Sequence, residues 1–187
     1  IIYEERLHGK LETDDMQNMA MAYAVSKEKK REAITEMITE LCVSGVNAIV
    51  KSEERLQQIR SLFDLDGITV FSDRGNRLVC RNGNYMAEAP DGRLGFEDEG
   101  YLSLCGDDDI FVESNMIKLR SQNPAAYAVT QEQEVGAALQ CLSRKEGIPY
   151  TMVSFEVFNR NRKWSDKDVT LLTLLGHCIG DLLNYSE

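Results

Sequence analysis

Apolar residues recur at intervals of three and four in the first third of the chain and again at its end. The clearest stretch begins at Ala33 and continues through Ile34, Met37, Ile38, Leu41, Cys42, Val46 and Ile49. A second begins after Ser52, whose hydroxyl and following acids are typical of a helix start. The last follows Ser165 and is rich in leucine. This spacing predicts amphipathic helices at both ends of a domain, each burying one face.

Residues 1–31 differ from the segment that follows them. They are highly charged and have a thin apolar stripe at Met16, Met19, Met21 and Val25. We therefore interpret residues 1–31 as a helical linker and residues 32–187 as the domain itself. The chain begins with isoleucine and stops one turn after an apolar stripe, so we expect both ends to be cut from a longer polypeptide.

Between the helices the period changes to the alternation of strands. Residues 68–71 and 78–80 flank a polar turn, and residues 137–143 and 149–158 flank a turn that contains Gly147. Each pair predicts an antiparallel hairpin, the second with a positive φ at its glycine.

The segment between the two hairpins is less regular. Residues 83–110 are rich in glycine and predict a long excursion of a kind that is often functional. Residues 112–121 predict a short helix that Asn123-Pro124 ends, and residues 126–129 predict a short strand. The order of elements predicts an α+β fold. Its antiparallel sheet has the N- and C-terminal helices packed on one face and a loop-covered pocket on the other.

Charge and cysteine content disfavour several kinds of partner. The chain carries 31 acidic and 21 basic residues, a formal charge of -10, which disfavours nucleic acid and anionic membrane surfaces. The short basic stretches at residues 27–31 and 160–163 are interpreted as solvated helix faces or turns, which explain them about as well as a ligand would. No apolar run reaches the roughly 18 residues needed to cross a bilayer. Five cysteines without a C-x-x-C pair predict a reducing cytoplasm, no disulfide framework and no metal site.

The closing third of the chain carries a family resemblance. Two strands are followed by Asn161-Arg162-Lys163-Trp164-Ser165, two acids and a leucine-rich helix, and residues 137–183 in this order resemble the closing half of a GAF domain. The resemblance implies a non-catalytic sensor module that transmits a signal to a missing output domain, such as a GGDEF-type diguanylate cyclase or another cyclic-di-GMP enzyme. The patterns of cyclic-nucleotide-binding and bilin-binding GAF domains are absent, so the cofactor is unknown.

The strand at residues 149–158 supplies the candidate binding site. Its alternation places Val153, Phe155 and Val157 toward the terminal helices, and the other face toward a pocket beneath the central loop. We expect that face to bind a small molecule bearing an amine or a cationic group. The candidate ligand-binding residues are Tyr127, Gln140, Ser154 and Glu156. The alternative is that Glu156 is solvated near the end of its strand.

Two further interpretations remain open. In one, Cys105 and Cys80 serve a thiol-dependent methionine sulfoxide reductase on a GAF fold, although the acids at residues 107–109 would raise the thiol pKa. In the other, the chain is a constitutive dimerisation module. The remaining cysteines are predicted to lie in the core, at Cys42, Cys141 and Cys178. The apolar stripes of the terminal helices predict a homodimer formed through them.

Overall fold

The computed structural model describes residues 2–44, 53–72, 78–81, 84–86, 102–132 and 134–185. Five α-helices are described, α1 Ile2–Ser44, α2 Glu53–Leu62, α3 Leu119–Gln122, α4 Pro124–Glu132 and α5 Asp166–Tyr185. A single 3-10 turn at Met116–Lys118 leads into α3. The six described strands are β1 Gly67–Ser72, β2 Leu78–Arg81, β3 Asn84–Met86, β4 Ile110–Glu113, β5 Val135–Lys145 and β6 Ile148–Phe158.

The described strands form one antiparallel sheet in the order β3-β2-β1-β6-β5-β4. Both predicted hairpins are confirmed, as β1–β2 and β5–β6. The turn of the second holds Glu146 at φ 52° and Gly147 at φ 82°. Two successive positive φ values are typical of the two-residue turn that matches the twist of paired strands. The two longest described strands thereby pair along nearly their whole length.

One face of the sheet is covered by α1, α2 and α5, as the predicted α+β architecture requires. The predicted inward positions of β6, Val153, Phe155 and Val157, are fully buried there. They pack in a core with the buried positions of the three helices, which are Ala33, Ile34, Met37, Leu41, Leu56, Ile59, Leu172, Leu175 and Ile179. The helical periodicity of the sequence therefore identifies the buried faces of these helices.

Helix α5 lies unusually close to β5 because glycine faces the strand. A Cβ atom at Gly180 would collide with Ser143 Oγ, and one at Gly176 would lie 2.7 Å from Cys141 Sγ. Real Cβ atoms do not approach this closely, so the helix backbone needs glycine at both positions to rest on the strand.

The opposite face is covered by α3, α4 and the segment before β4. Its apolar core comprises Phe71, Cys105, Phe111, Met116, Leu119, Ala126, Val135, Ala138, Leu142 and Met152. Most of the predicted central excursion, residues 87–101, lies outside the described residues.

Two short predictions in this part of the chain are wrong. Residues 112–121 do not form one helix, because residues up to Glu113 pair with β5 and the Asn115 side chain then caps the 3-10 turn by accepting from Ile117 N. Residues 126–129 are not a strand but part of α4. Pro124 is the first residue of that helix, and Asn123 Oδ1 accepts from Ala126 N at 3.0 Å. The capping residues therefore determine the secondary structure of these short segments, because hydrophobic periodicity cannot be recognised over so few residues.

Helix α1 continues without a break across the predicted boundary between residues 31 and 32. Residues 15–29 are all exposed, whereas Ala33 and Ile34 are buried. The division into linker and domain stays a prediction. Val46, Ile49 and Ser52, which entered the helical pattern, lie outside the described residues. None of the helices in the described ranges has the length and hydropathy to cross a membrane.

Candidate functional site

Four polar side chains lie buried side by side on the sheet face opposite the terminal helices. They are Thr69 on β1, Gln140 on β5, and Ser154 and Glu156 on β6, and we call them the polar row. Their exposed fractions are 5, 4, 0 and 2%. The strand register explains the grouping, because Ser154 is paired with Thr69 on one side and with Gln140 on the other. Glu156 follows two positions later on the same face.

Hydrogen bonds connect the members of the row. The Thr69 hydroxyl donates to Glu156 Oε2 at 3.2 Å, and Gln140 Nε2 donates to Ser154 Oγ at 3.1 Å. Burying a carboxyl group is costly, and hydrogen bonds of this kind reduce the cost. The alternative interpretation of Glu156 as a solvated residue near its strand end is wrong, because its side chain is buried.

The structure brings together three of the four predicted site residues. Gln140, Ser154 and Glu156 belong to the polar row. Tyr127 is half-buried on α4 and packs against the apolar core of the same sheet face. Phe71, Leu142 and Met152 are paired across three strands directly beside the row and make that part of the face apolar. The polar row is therefore a set of buried polar groups bordered by apolar side chains.

Sequence reasoning missed Thr69. It stands between Ile68 and Val70, so alternation does place it on the face opposite theirs. The pairing of β1 with β6 determines which residues lie beside Thr69 on that face. Glu156, to which Thr69 donates its hydrogen bond, is 87 positions away in the sequence. Alternation along β1 predicts the face on which Thr69 lies, but only the fold determines which strand pairs with β1.

A second buried polar group joins α1, α2 and α5 on the other side of the sheet. Asp168, 8% exposed in the first turn of α5, accepts from Lys30 Nζ at 2.8 Å and from Arg162 at 3.2 Å. Arg162 also donates to the carbonyl oxygens of Phe63 and Asp64 at the end of α2. We call Lys30, Arg162 and Asp168 the helix brace. The interpretation of residues 27–31 and 160–163 as solvated is wrong for Lys30 and Arg162, whose side chains are 20% and 9% exposed.

Trp164 and Ser165 have the structural roles that the sequence predicts. Trp164 is buried in the helix-side core, and its Nε1 donates to the carbonyl of Glu113 at 3.1 Å. The Ser165 hydroxyl accepts from Asp168 N at 3.1 Å and caps α5. The Arg162 guanidinium lies 4.2 Å from the centre of the indole ring. Burial lowers the pKa of Arg162, and the Asp168 carboxylate opposes that effect.

The candidate catalytic thiol is poorly suited to its proposed role. Burial, followed by the charge of Asp109, raises the pKa of the Cys105 thiol to about 11, although Arg144 acts in the opposite direction. Arg144 itself pairs with both carboxylate oxygens of Asp109 at 2.8 and 3.0 Å. The expected direction of the Cys105 shift is confirmed. The side chain of Cys80 lies outside the described residues.

The other cysteines divide into two kinds. Cys141 is buried, as predicted, and burial raises its thiol pKa to about 12. The prediction that Cys42 lies in the core is wrong, because it is exposed at the edge of α1. Cys178 on α5 is half-buried. Within the described ranges, no three His, Cys, Asp or Glu side chains are placed to hold a metal ion.

Comparison with known proteins supports one fold. No protein-family model matches the chain, and no curated protein matches it. The chromophore-binding domain of the Stigmatella aurantiaca bacteriophytochrome in the Pr state matches with a TM-score of 0.60 at 15% identity, over 84% of this chain and 60% of that one. The GAF domain of an Acinetobacter phosphoenolpyruvate-protein phosphotransferase matches with a TM-score of 0.53 at 12% identity, over 83% and 92%. This chain has a GAF fold.

An enzyme also matches the chain in structure. Free methionine-R-sulfoxide reductase from Neisseria meningitidis, in complex with its substrate, matches with a TM-score of 0.55 at 8% identity, over 84% of this chain and 90% of that one. The chain spans less than two thirds of the phytochrome domain but most of the other two. The GAF fold at these identities establishes the architecture, and function has to be argued from the site.

Proposed function

We propose that this chain is a non-catalytic sensory or regulatory GAF domain that binds a small molecule on the polar row and transmits the binding to its terminal helices. The observation that carries the proposal is the polar row itself. Four polar side chains, one of them a carboxyl group, lie buried beside the apolar core of one sheet face. Polar groups are costly to place there, and a structural role alone would be served as well by apolar side chains.

The row favours a ligand rich in hydrogen-bond donors. Glu156 contributes carboxylate oxygens, and the amide of Gln140 contributes a carbonyl oxygen. Ser154 already accepts from Gln140, so its own hydroxyl proton is directed elsewhere. The row is therefore rich in oxygen atoms of the kind that accept hydrogen bonds. An amine, a guanidinium or a protonated heterocycle complements this arrangement best.

Strand β6 offers a direct route from the ligand face to the helices. Ser154 and Glu156 belong to the polar row, while Val153, Phe155 and Val157 alternate with them and pack on α1 and α5. A shift of β6 that accommodates a ligand therefore changes the packing surface of both helices. The close contacts at Gly176 and Gly180 leave α5 little room to absorb such a shift.

A thermal-shift screen of amines, guanidinium compounds and protonated heterocycles tests this function. A ligand present at 100 times its Kd stabilises the protein by about 2.7 kcal/mol, which raises the unfolding midpoint by roughly 5–10 °C. We expect Glu156→Gln to abolish the shift, because it replaces a carboxyl oxygen, which accepts hydrogen bonds, by an amide nitrogen, which donates them, and keeps the side-chain shape. Glu132→Gln, an exposed change on α4, is the matched control and should retain the shift. A screen without hits, or hits that Glu156→Gln leaves unchanged, would contradict the proposal.

We also propose that the module is a homodimer and that α1 forms the contact. Residues 15–29 of α1 are exposed, yet Met16, Met19 and Tyr23, spaced three and four apart, form one apolar stripe at 68–73% exposure. A helix that presents this much apolar surface on its own is stabilised by packing against another helix. A second copy supplies an identical stripe, so a symmetric pair buries both.

Light scattering coupled to size exclusion tests the dimer. We expect a particle of twice the 21.1 kDa chain mass for the native sequence. Met19→Glu places a charge in the apolar stripe and should shift the equilibrium toward monomer by at least tenfold, since a charge is costly in such an interface. Gln17→Glu adds the same charge to the same turn and should leave the dimer intact. A monomeric native protein at high concentration would exclude this arrangement.

The downstream partner is proposed from the resemblance of residues 159–165 to GAF modules of cyclic-di-GMP enzymes. We propose a cytoplasmic protein in which α5 leads into an output domain such as a diguanylate cyclase. The sulfoxide-reductase alternative is not supported by Cys105, because a thiol with a pKa of about 11 is almost entirely protonated at neutral pH and is a poor nucleophile.

A further inference from the structure

Two free thiols meet where α1 and α5 lie against each other. Cys42 on α1 and Cys178 on α5 are neighbours in this contact and their side chains interact, and both cysteines are reduced. Lys30 and Asp168 link the same two helices closer to their N-terminal ends. At about 1.5 Å per residue, Lys30 and Cys42 are about 18 Å apart along α1, and Asp168 and Cys178 about 15 Å apart along α5. The two contacts therefore agree on one parallel alignment of the helices.

The environment makes the two thiols unequal in reactivity. Cys42 is exposed, whereas Cys178 is half-buried, and burial is the main cause of its raised thiol pKa. Cys105 and Cys141 are buried and have thiol pKa values of about 11 and 12. A reagent in solution thus reaches Cys42 first among these four, and Cys178 is the thiol held beside it.

We propose that Cys42 and Cys178 form a reversible disulfide that joins α1 covalently to α5. The oxidant is a low-molecular-weight disulfide. The Cys42 thiolate attacks one of its sulfur atoms, forming a mixed disulfide and releasing one thiolate. The Cys178 thiolate then attacks the Cys42 sulfur and releases the second. Two protein thiols and one small disulfide are thereby converted into one protein disulfide and two small thiols, and the thiols released take up the two protons.

The disulfide would act on the helices proposed to carry the signal. The helix brace holds α1 and α5 together near Lys30 and Asp168, and the disulfide would hold them at the other end of their contact. Relative sliding or rotation of the two helices would then be prevented. The bond would also close a loop from residue 42 to residue 178, and long loops are those in which a disulfide restricts the unfolded chain most. Formation of the disulfide requires no ligand at the polar row.

Mass spectrometry of the full chain tests the proposal. The reduced protein is incubated with glutathione disulfide, denatured, and alkylated with N-ethylmaleimide. We expect alkylation to fall from five thiols to three in a chain of monomeric mass. Digestion should yield one cross-linked peptide pair containing Cys42 and Cys178. The unfolding midpoint should rise by roughly 5–15 °C, and dithiothreitol should reverse the rise.

Variants separate this outcome from others. Cys42→Ser and Cys178→Ser should each abolish the cross-link and the thermal shift, whereas Cys105→Ala should retain both. Alkylation of all five thiols in the native protein would overturn the proposal. So would glutathione retained on Cys42, because it would show that Cys178 does not complete the exchange. A disulfide joining two chains through Cys42 would also overturn it. The thiol count, the retained glutathione and a disulfide between chains are all measured on the native protein. The test therefore does not depend on whether the variants fold.

Discussion

Asp168→Ala is expected to lower the free energy of unfolding by about 3 kcal/mol. The Asp168 carboxylate is shared by Lys30 and Arg162, whose side chains are 20% and 9% exposed. Removing it leaves two cations near one another in a site with little water, and breaking a buried ion pair from one side typically costs this much. Urea unfolding of the purified domain measures the change directly.

A neighbouring acid provides the control for Asp168→Ala. Asp166 lies in the same first turn of α5 but is exposed. Its replacement by alanine removes the same charge from the same helix terminus, and should cost less than about 1 kcal/mol. If the two alanine variants are equally stable, the helix brace contributes no more to stability than a surface charge does. Added salt should leave most of the difference in place, because buried pairs are weakly screened.

Trp164→Ala is expected to destabilise the domain by about 3–5 kcal/mol. The indole is buried in the helix-side core, donates to the Glu113 carbonyl and carries Arg162 on its ring face. Alanine leaves a large cavity and an acceptor without its donor. The same urea unfolding experiment measures the loss.

Trp164→Phe separates packing from hydrogen bonding at this position. It keeps an aromatic ring for the core and for Arg162 but removes the donor to Glu113. A loss of about 1–2 kcal/mol is expected, well below that of alanine. Equal losses in the two variants would assign the whole effect to the hydrogen bond. A loss below about 1 kcal/mol in Trp164→Ala would show that Trp164 does not close the core.

The two faces of the sheet have different proposed roles. The polar row and α4 form the side on which a ligand is proposed to bind. The helix brace, the glycine contacts of α5 and the Cys42–Cys178 pair all lie on the helix side. Strands β5 and β6 contribute side chains to both. A ligand and an oxidant would thus act on the same pair of helices from different places, one through the sheet and the other directly.

The sequence by itself determined the parts of this protein that depend on neighbouring residues. The β5–β6 hairpin follows from a turn that needs positive φ at Gly147. The start of α5 follows from the Ser165 cap, and its buried face follows from leucines at helical spacing. Three of the four polar-row residues were found because alternation along a strand assigns each side chain to a face. Each of these signals is complete within about ten residues.

Only the tertiary structure decided which of those faces meet. Thr69 joins Glu156 across 87 positions, and Lys30 joins Asp168 across 138. The sequence could not predict that Cys42 is exposed either. A residue at the margin of an apolar stripe is buried or exposed according to where the neighbouring helix ends. Residues 126–129 are different, because the local cap formed by Asn123 and Pro124 starts α4 just before them. Local chemistry set the elements, and the packing of distant elements set the polar row, the brace and the thiol pair, since no local pattern encodes a long-range contact.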